Sequence, residues 1–73
     1  MNQDYIESLV GKRVKLVKTN DPYTDLVNNE YIGTVYDVKK VNFDGGFIQI
    51  WCRFDNGSNF AIVPETGDIY EVL

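Results

Sequence analysis

Between Phe47 and Val63 the chain reads Phe47-Ile-Gln-Ile-Trp-Cys-Arg-Phe54, then Asp55-Asn56-Gly57, then Ser58-Asn-Phe-Ala-Ile-Val63. Two runs of branched and aromatic residues joined by Asn-Gly form the strongest short-range hairpin signal. A type I′ turn needs positive φ at both central positions, which Asn and Gly tolerate better than branched residues. The stretch therefore predicts a strand, a tight type I′ turn and a second strand. It commits the chain to a sheet.

Length limits what that sheet can join. At 73 residues the chain is expected to form a single domain, 1–73. A chain this short buries only about 60% of the surface it exposes when unfolded, so each core aromatic matters. One cysteine and no histidine leave neither an internal disulfide nor a His/Cys metal cluster. No cofactor and no metal site is expected. The N-terminus lacks the basic-then-apolar order of a signal peptide, and no apolar run approaches the roughly 18 residues of a membrane span. A cytoplasmic protein without a membrane partner is expected.

The formal charge of −4 is unevenly spread. Residues 1–40 carry six acids and six bases, whereas 41–73 carry Asp44, Asp55, Glu65, Asp68 and Glu71 against Arg53 alone. An acidic chain is a poor general nucleic-acid binder, because neutralising phosphates needs a basic surface.

Taken in order, Asp4 to Val10 places Tyr5, Ile6, Leu9 and Val10 on one helical face, with Gly11 as a stop. A short helix over about 4–10 is expected, lidding one end of the sheet. Lys12–Lys18 alternates, with Val14 and Leu16 inward, and predicts the first strand. Thr19–Glu30 holds Asp21-Pro22 and Asn28-Asn29 and predicts a long loop, pinned by Tyr23, Leu26 and Val27. Tyr31–Val41 is the second strand, where Gly33 predicts a close approach and Tyr36-Asp37 a bulge. Asn42–Gly46 turns into the third strand, Phe47–Phe54, which faces Ile48, Ile50, Cys52 and Phe54 one way and Trp51 the other. Ser58–Val63 is the fourth strand. Pro64 ends it, Glu65–Gly67 makes a helical turn, and Ile69–Val72 is the fifth.

Five short strands with a long first loop, a tight turn before the fourth and a corner before the fifth predict an all-β fold. The architecture expected is a five-stranded SH3-like barrel over about 12–72 with a short N-terminal helix. Gly11-Lys-Arg-Val-Lys-Leu16, Asp21-Pro-Tyr23, Gly33-Thr-Val35, Phe54-Asp-Asn-Gly-Ser58 and Pro64 follow one another as in a small family of SH3-like domains. The chain resembles that family, found in bacteria, phages and mobile elements, from about residue 11 to 70. It departs from it at Phe54, where Trp is common, and in a longer segment between the second and third strands. The shared motifs are turn and core residues; they imply a fold and an origin, and no activity.

Catalysis has little to work with. Without histidine a nucleophile lacks its usual base, and Cys52 lies mid-strand on the apolar face. No enzyme is expected and no catalytic residue is assigned. Asp21, Asp25 and Glu30 match no calcium-loop spacing and suit turn and solvated roles. Tyr23, Trp51, Pro64 and Tyr70 are loosely comparable to the aromatic groove by which signalling SH3 domains bind proline-rich segments. The chain lacks the paired tryptophans of that family. Tyr23, Asp25, Trp51 and Tyr70 are nonetheless the candidate contacts for a protein partner. The expected role is a non-enzymatic binding module, phage or mobile-element encoded, that docks and inhibits a host protein. Alternatively Lys12, Arg13, Lys39 and Lys40 gather into a basic patch for nucleic acid, or the chain self-associates.

Overall fold

A computed structural model describes residues 6–20, 25–42 and 45–73. Five strands, β1 (Arg13–Lys18), β2 (Ile32–Val41), β3 (Phe47–Phe54), β4 (Asn59–Ile62) and β5 (Ile69–Val72), form one antiparallel sheet. Their order is β4-β3-β2-β1-β5, so β4 and β5 are its edges. The all-β expectation holds, with strand bounds within a residue of those read from the alternation.

Alternation explains which face is buried. Val14 and Leu16 of β1, Val35 of β2, Ile50, Cys52 and Phe54 of β3 and Ile62 of β4 are at most 2% exposed. The register sets Val35 opposite Cys52, Gly33 opposite Phe54 and Ile50 opposite Ile62, which puts all of them on one side. Gly33 is fixed by that packing: a Cβ there would meet the Phe54 ring at 3.0 Å. Phe60 meets the same ring edge-on, with centroids 6.5 Å apart. Ile6, Leu9 and Leu26 complete the core from outside the sheet.

The β2–β3 ladder shifts register between Val35 and Asp37, where the bulge was expected. The bulge turns Tyr36 out to solvent and returns Val38 to the inner side, opposite Ile50. A single extra residue thus reconciles a buried Val35 with a half-buried Val38 on the same side.

Two expectations need correction. The β3–β4 turn is not type I′, because Gly57 has φ 90° while Asn56 is not among the positive-φ residues. The Gly57 N–H donates to Phe54 O at 2.8 Å, and the Phe54 N–H donates to Ser58 O at 2.8 Å. That is a three-residue loop closed by a left-handed glycine. Asn56 acts through its side chain, whose Oδ1 accepts the Ser58 N–H at 3.1 Å. Of the helix expected over 4–10, Asp4 and Tyr5 lie outside the described residues. The remainder is helical only at Ile6 and Glu7 before passing into turns. Leu9 N–H bonds to Ile6 O and Val10 N–H to Glu7 O, i to i+3 contacts of a tight turn. One buried turn suffices to deliver Ile6 and Leu9.

The corner between the edges is firmly tied. Pro64–Thr66 forms a 3₁₀ turn closed by left-handed Gly67, whose N–H donates to Pro64 O at 3.0 Å. Asp68, the buried charged residue among those described, accepts the Val63 N–H at 3.0 Å and the Thr19 hydroxyl at 2.9 Å.

Candidate functional site

The apolar surface is concentrated where β1 meets β5. Their register pairs Val14 with Val72, Lys15 with Glu71, Leu16 with Tyr70 and Lys18 with Ile69, leaving Val17 as an unpaired bulge. Val17 is 40% exposed, Ile69 50%, Val72 42% and Leu73 65%. Among the described residues only Val10 and Tyr36 are comparably exposed large hydrophobics, so most of that surface lies around one short strand.

The described part of the loop before β2 forms the other wall of this region. Its backbone closes on itself, Asn29 N–H to Asp25 O, Glu30 N–H to Val27 O and Tyr31 N–H to Leu26 O, while buried Leu26 anchors it. Glu30 has φ 54°, a left-handed conformation rare for a residue with a Cβ. The turn thereby brings its carboxylate to Lys15, whose ammonium donates at 2.9 Å. An open groove results, with Val17, Val27 and Ile69 as its apolar walls and Lys15, Glu30 and Glu71 at its rim.

Glu30 holds the Lys15 ammonium directly, and Glu71 is the cross-strand neighbour of Lys15. The hydrogen bond and charge of Glu30, and then the charge of Glu71, raise the Lys15 pKa above its ordinary value. The same hydrogen bond and charge of Lys15 hold Glu30 below the usual glutamate value. The rim keeps one net negative charge.

Among the described protein-partner candidates, Asp25, Trp51 and Tyr70 do not line this groove. Tyr23 lies outside the described residues. Asp25 is exposed in the loop, where its backbone carbonyl accepts from Asn29. Tyr70, opposite Leu16, packs against the core. Trp51 sits on the outer side of β3 between Asp37 of β2 and Ala61 of β4, its indole N–H donating to Gln49 at 3.3 Å.

The basic candidates divide into two groups. Arg13 donates to both Asp55 oxygens, at 2.9 and 3.3 Å, and to the Thr34 hydroxyl at 3.0 Å. Lys12 adjoins Val35, which donates its N–H to the Lys12 carbonyl. Lys39 and Lys40 lie four and five residues farther along β2, about 13–17 Å at strand spacing. Lys39 instead stands 5.8 Å from the centre of the Trp51 ring, a cation–π contact. The second strand runs the expected way, but it overshoots the start of the first.

Sequence reasoning missed Val17, Ile69 and Glu71 as site residues. Alternation in Lys15-Leu16-Val17 turns Val17 outward, and that signal was legible. The bulge that leaves it beside Ile69 was not.

Cys52 is fully buried, and burial pushes its thiol up to about 12. Its thiolate is therefore unavailable near neutral pH. Among the described residues, no group of three His, Cys, Asp or Glu could hold a metal ion, and no helix is long and apolar enough to cross a membrane. No family model matches the chain, and no curated protein or solved structure matches it either.

Proposed function

We propose that this chain is a non-catalytic binding module built on an SH3-like barrel, and that it docks a protein partner through the groove where β1 and β5 meet the loop. Two features support the barrel. A flat five-stranded sheet would hold its edges about 19 Å apart, yet Asp68 just before β5 reaches the Val63 N–H just after β4 at 3.0 Å. Residues at 0% exposure on one side of a sheet also need cover, and among the described residues Ile6, Leu9 and Leu26 are few to supply it from outside the sheet. A rolled sheet covers itself.

The observation that carries the docking reading is the groove itself, where exposed Val17 and Ile69 line one apolar wall with Val27 inside a rim of Lys15, Glu30 and Glu71. Scattered exposed hydrophobics are ordinary, whereas a contiguous patch with a polar rim is the usual mark of an interaction surface. The net −4 charge favours a partner with a basic surface and speeds its encounter. A phage-encoded inhibitor that occupies a basic site on a host protein in the cytoplasm fits this chemistry.

The test is a pull-down from bacterial lysate with the tagged chain and its Ile69→Ser variant, each with and without nuclease. One protein captured by the native chain regardless of nuclease, and lost with the variant, is the expected result. Capture that vanishes with nuclease would replace this reading with nucleic-acid binding, for which Lys39, Trp51 and exposed Arg53 on the outer side of β2 and β3 are the available groups.

A further inference from the structure

Resting on the docking reading above, we propose that the partner binds by adding an extended strand to the outer edge of β5 at Val72, with a Lys or Arg of that strand placed against Glu71. β5 ends the sheet, pairing with β1 on one side and with no described strand on the other. The Leu73 N–H donates to Arg13 O at 2.9 Å, so Leu73 faces β1. Antiparallel pairing alternates such groups along a strand, which turns the Val72 N–H away from β1 and toward the open edge.

Side chains on both surfaces of β5 await cover. Val72 pairs with fully buried Val14 and so belongs to the inner side, yet it is 42% exposed. Ile69 at 50% and Leu73 at 65% add to it. Exposed edges are normally blunted by lysine, proline or an inward charge, because a row of open amides recruits other strands. Within β5 the one charged residue is Glu71, whose negative charge selects among recruits rather than refusing them all.

That selection points to a cationic strand and away from a second copy of this chain. Lys15 is already bonded to Glu30 and faces Glu71 only as its cross-strand neighbour, so the carboxylates outnumber the cation at the rim. An incoming Lys or Arg opposite Glu71 completes the balance. In-register self-pairing of β5 centred on Glu71 would set two carboxylates face to face, which destabilises a ladder.

The test selects random displayed peptides against the full-length chain, then measures the enriched synthetic peptide by calorimetry and amide-resolved NMR. Enriched peptides alternating apolar residues with a Lys or Arg, and slowed exchange of the Val72 amide on binding, are expected. Methylating the backbone nitrogens of one alternate set of peptide residues weakens binding about tenfold per lost bond, and methylating the other set leaves it intact. Glu71→Lys weakens binding by about fivefold. Peptides that bind without a basic residue, or shift resonances around Trp51 only, would overturn strand addition while leaving the module a docking protein. If no peptide is enriched, the docking reading fails and takes this inference with it. Protection of the Val72 amide that grows with protein concentration alone would make a second copy the occupant, against the proposal.

Discussion

The two edges of this sheet are strands of equal length with opposite fates. β4 and β5 have four residues each and border the same corner. β4 ends in fully buried Ile62, with Phe60 half-buried against Phe54 and Ala61 beside Trp51. β5 has no residue as buried, and most of its side chains are open to solvent. An edge can thus serve as a wall of the core or as a lip around it, and the ladder alone does not decide which. What decides is the strand's neighbour: β4 lies against β3, whose Ile50, Cys52 and Phe54 supply a full inner row, whereas β5 lies against the shorter β1 with its bulge at Val17.

The sharpest way to break this comparison is to truncate each edge. Ile62→Ala is expected to cost about 2–5 kcal/mol, since it removes buried methylenes and leaves a cavity. Urea unfolding measures it; a loss under 1 kcal/mol would mean β4 is no wall at all. Next in size is the corner that both edges share. Asp68→Ala removes the carboxylate that accepts from the Val63 N–H and the Thr19 hydroxyl. A loss of about 1–3 kcal/mol in the same experiment is expected.

Val72→Ala should change stability by no more than about 0.5 kcal/mol, as substitutions at exposed positions commonly do. A cost like that of Ile62→Ala would place β5 inside the core and remove the contrast. The smallest effect concerns the rim. Glu30 has a lowered folded pKa, so its contribution is present above the ordinary value of 4.5 and is lost as pH falls through the lower folded value. Lys15 has a raised one, so its contribution holds below 10.5 and is lost as pH rises through the higher folded value. Melting temperature against pH should therefore be slightly flatter in Glu30→Gln at both extremes. An unchanged profile would show that solvent screens the exposed pair completely.

Much of the fold could be read from the chain because local chemistry set it. β3 and β5 came out at their expected bounds, and Gly33 and the Tyr36 bulge were visible as breaks in alternation. The Asn56-Gly57 turn was located but mistyped, since a three-residue and a two-residue loop share the same composition and differ in how the strands meet. The site was far less legible. Trp51, Tyr70 and the lysines were chosen by residue type, and their grouping depends on a long-range register that puts Tyr70 inside and Lys39 over Trp51. The β1 bulge that bares Val17 arises only when residue 18 meets residue 69.

That same pairing carries a consequence for how the chain is made. The β3–β4 hairpin closes over three residues, whereas Lys18 must wait about fifty residues for Ile69. Loop-closure entropy alone makes the second contact dearer by about 2–3 kcal/mol. On a ribosome residues emerge in order, so β1 to β4 leave the exit tunnel before β5 does. The outer side of β1 is then bare, and the last strand to arrive is the one that covers it. Folding would finish at that edge, so an extended segment present during synthesis would compete with β5 for the outer side of β1.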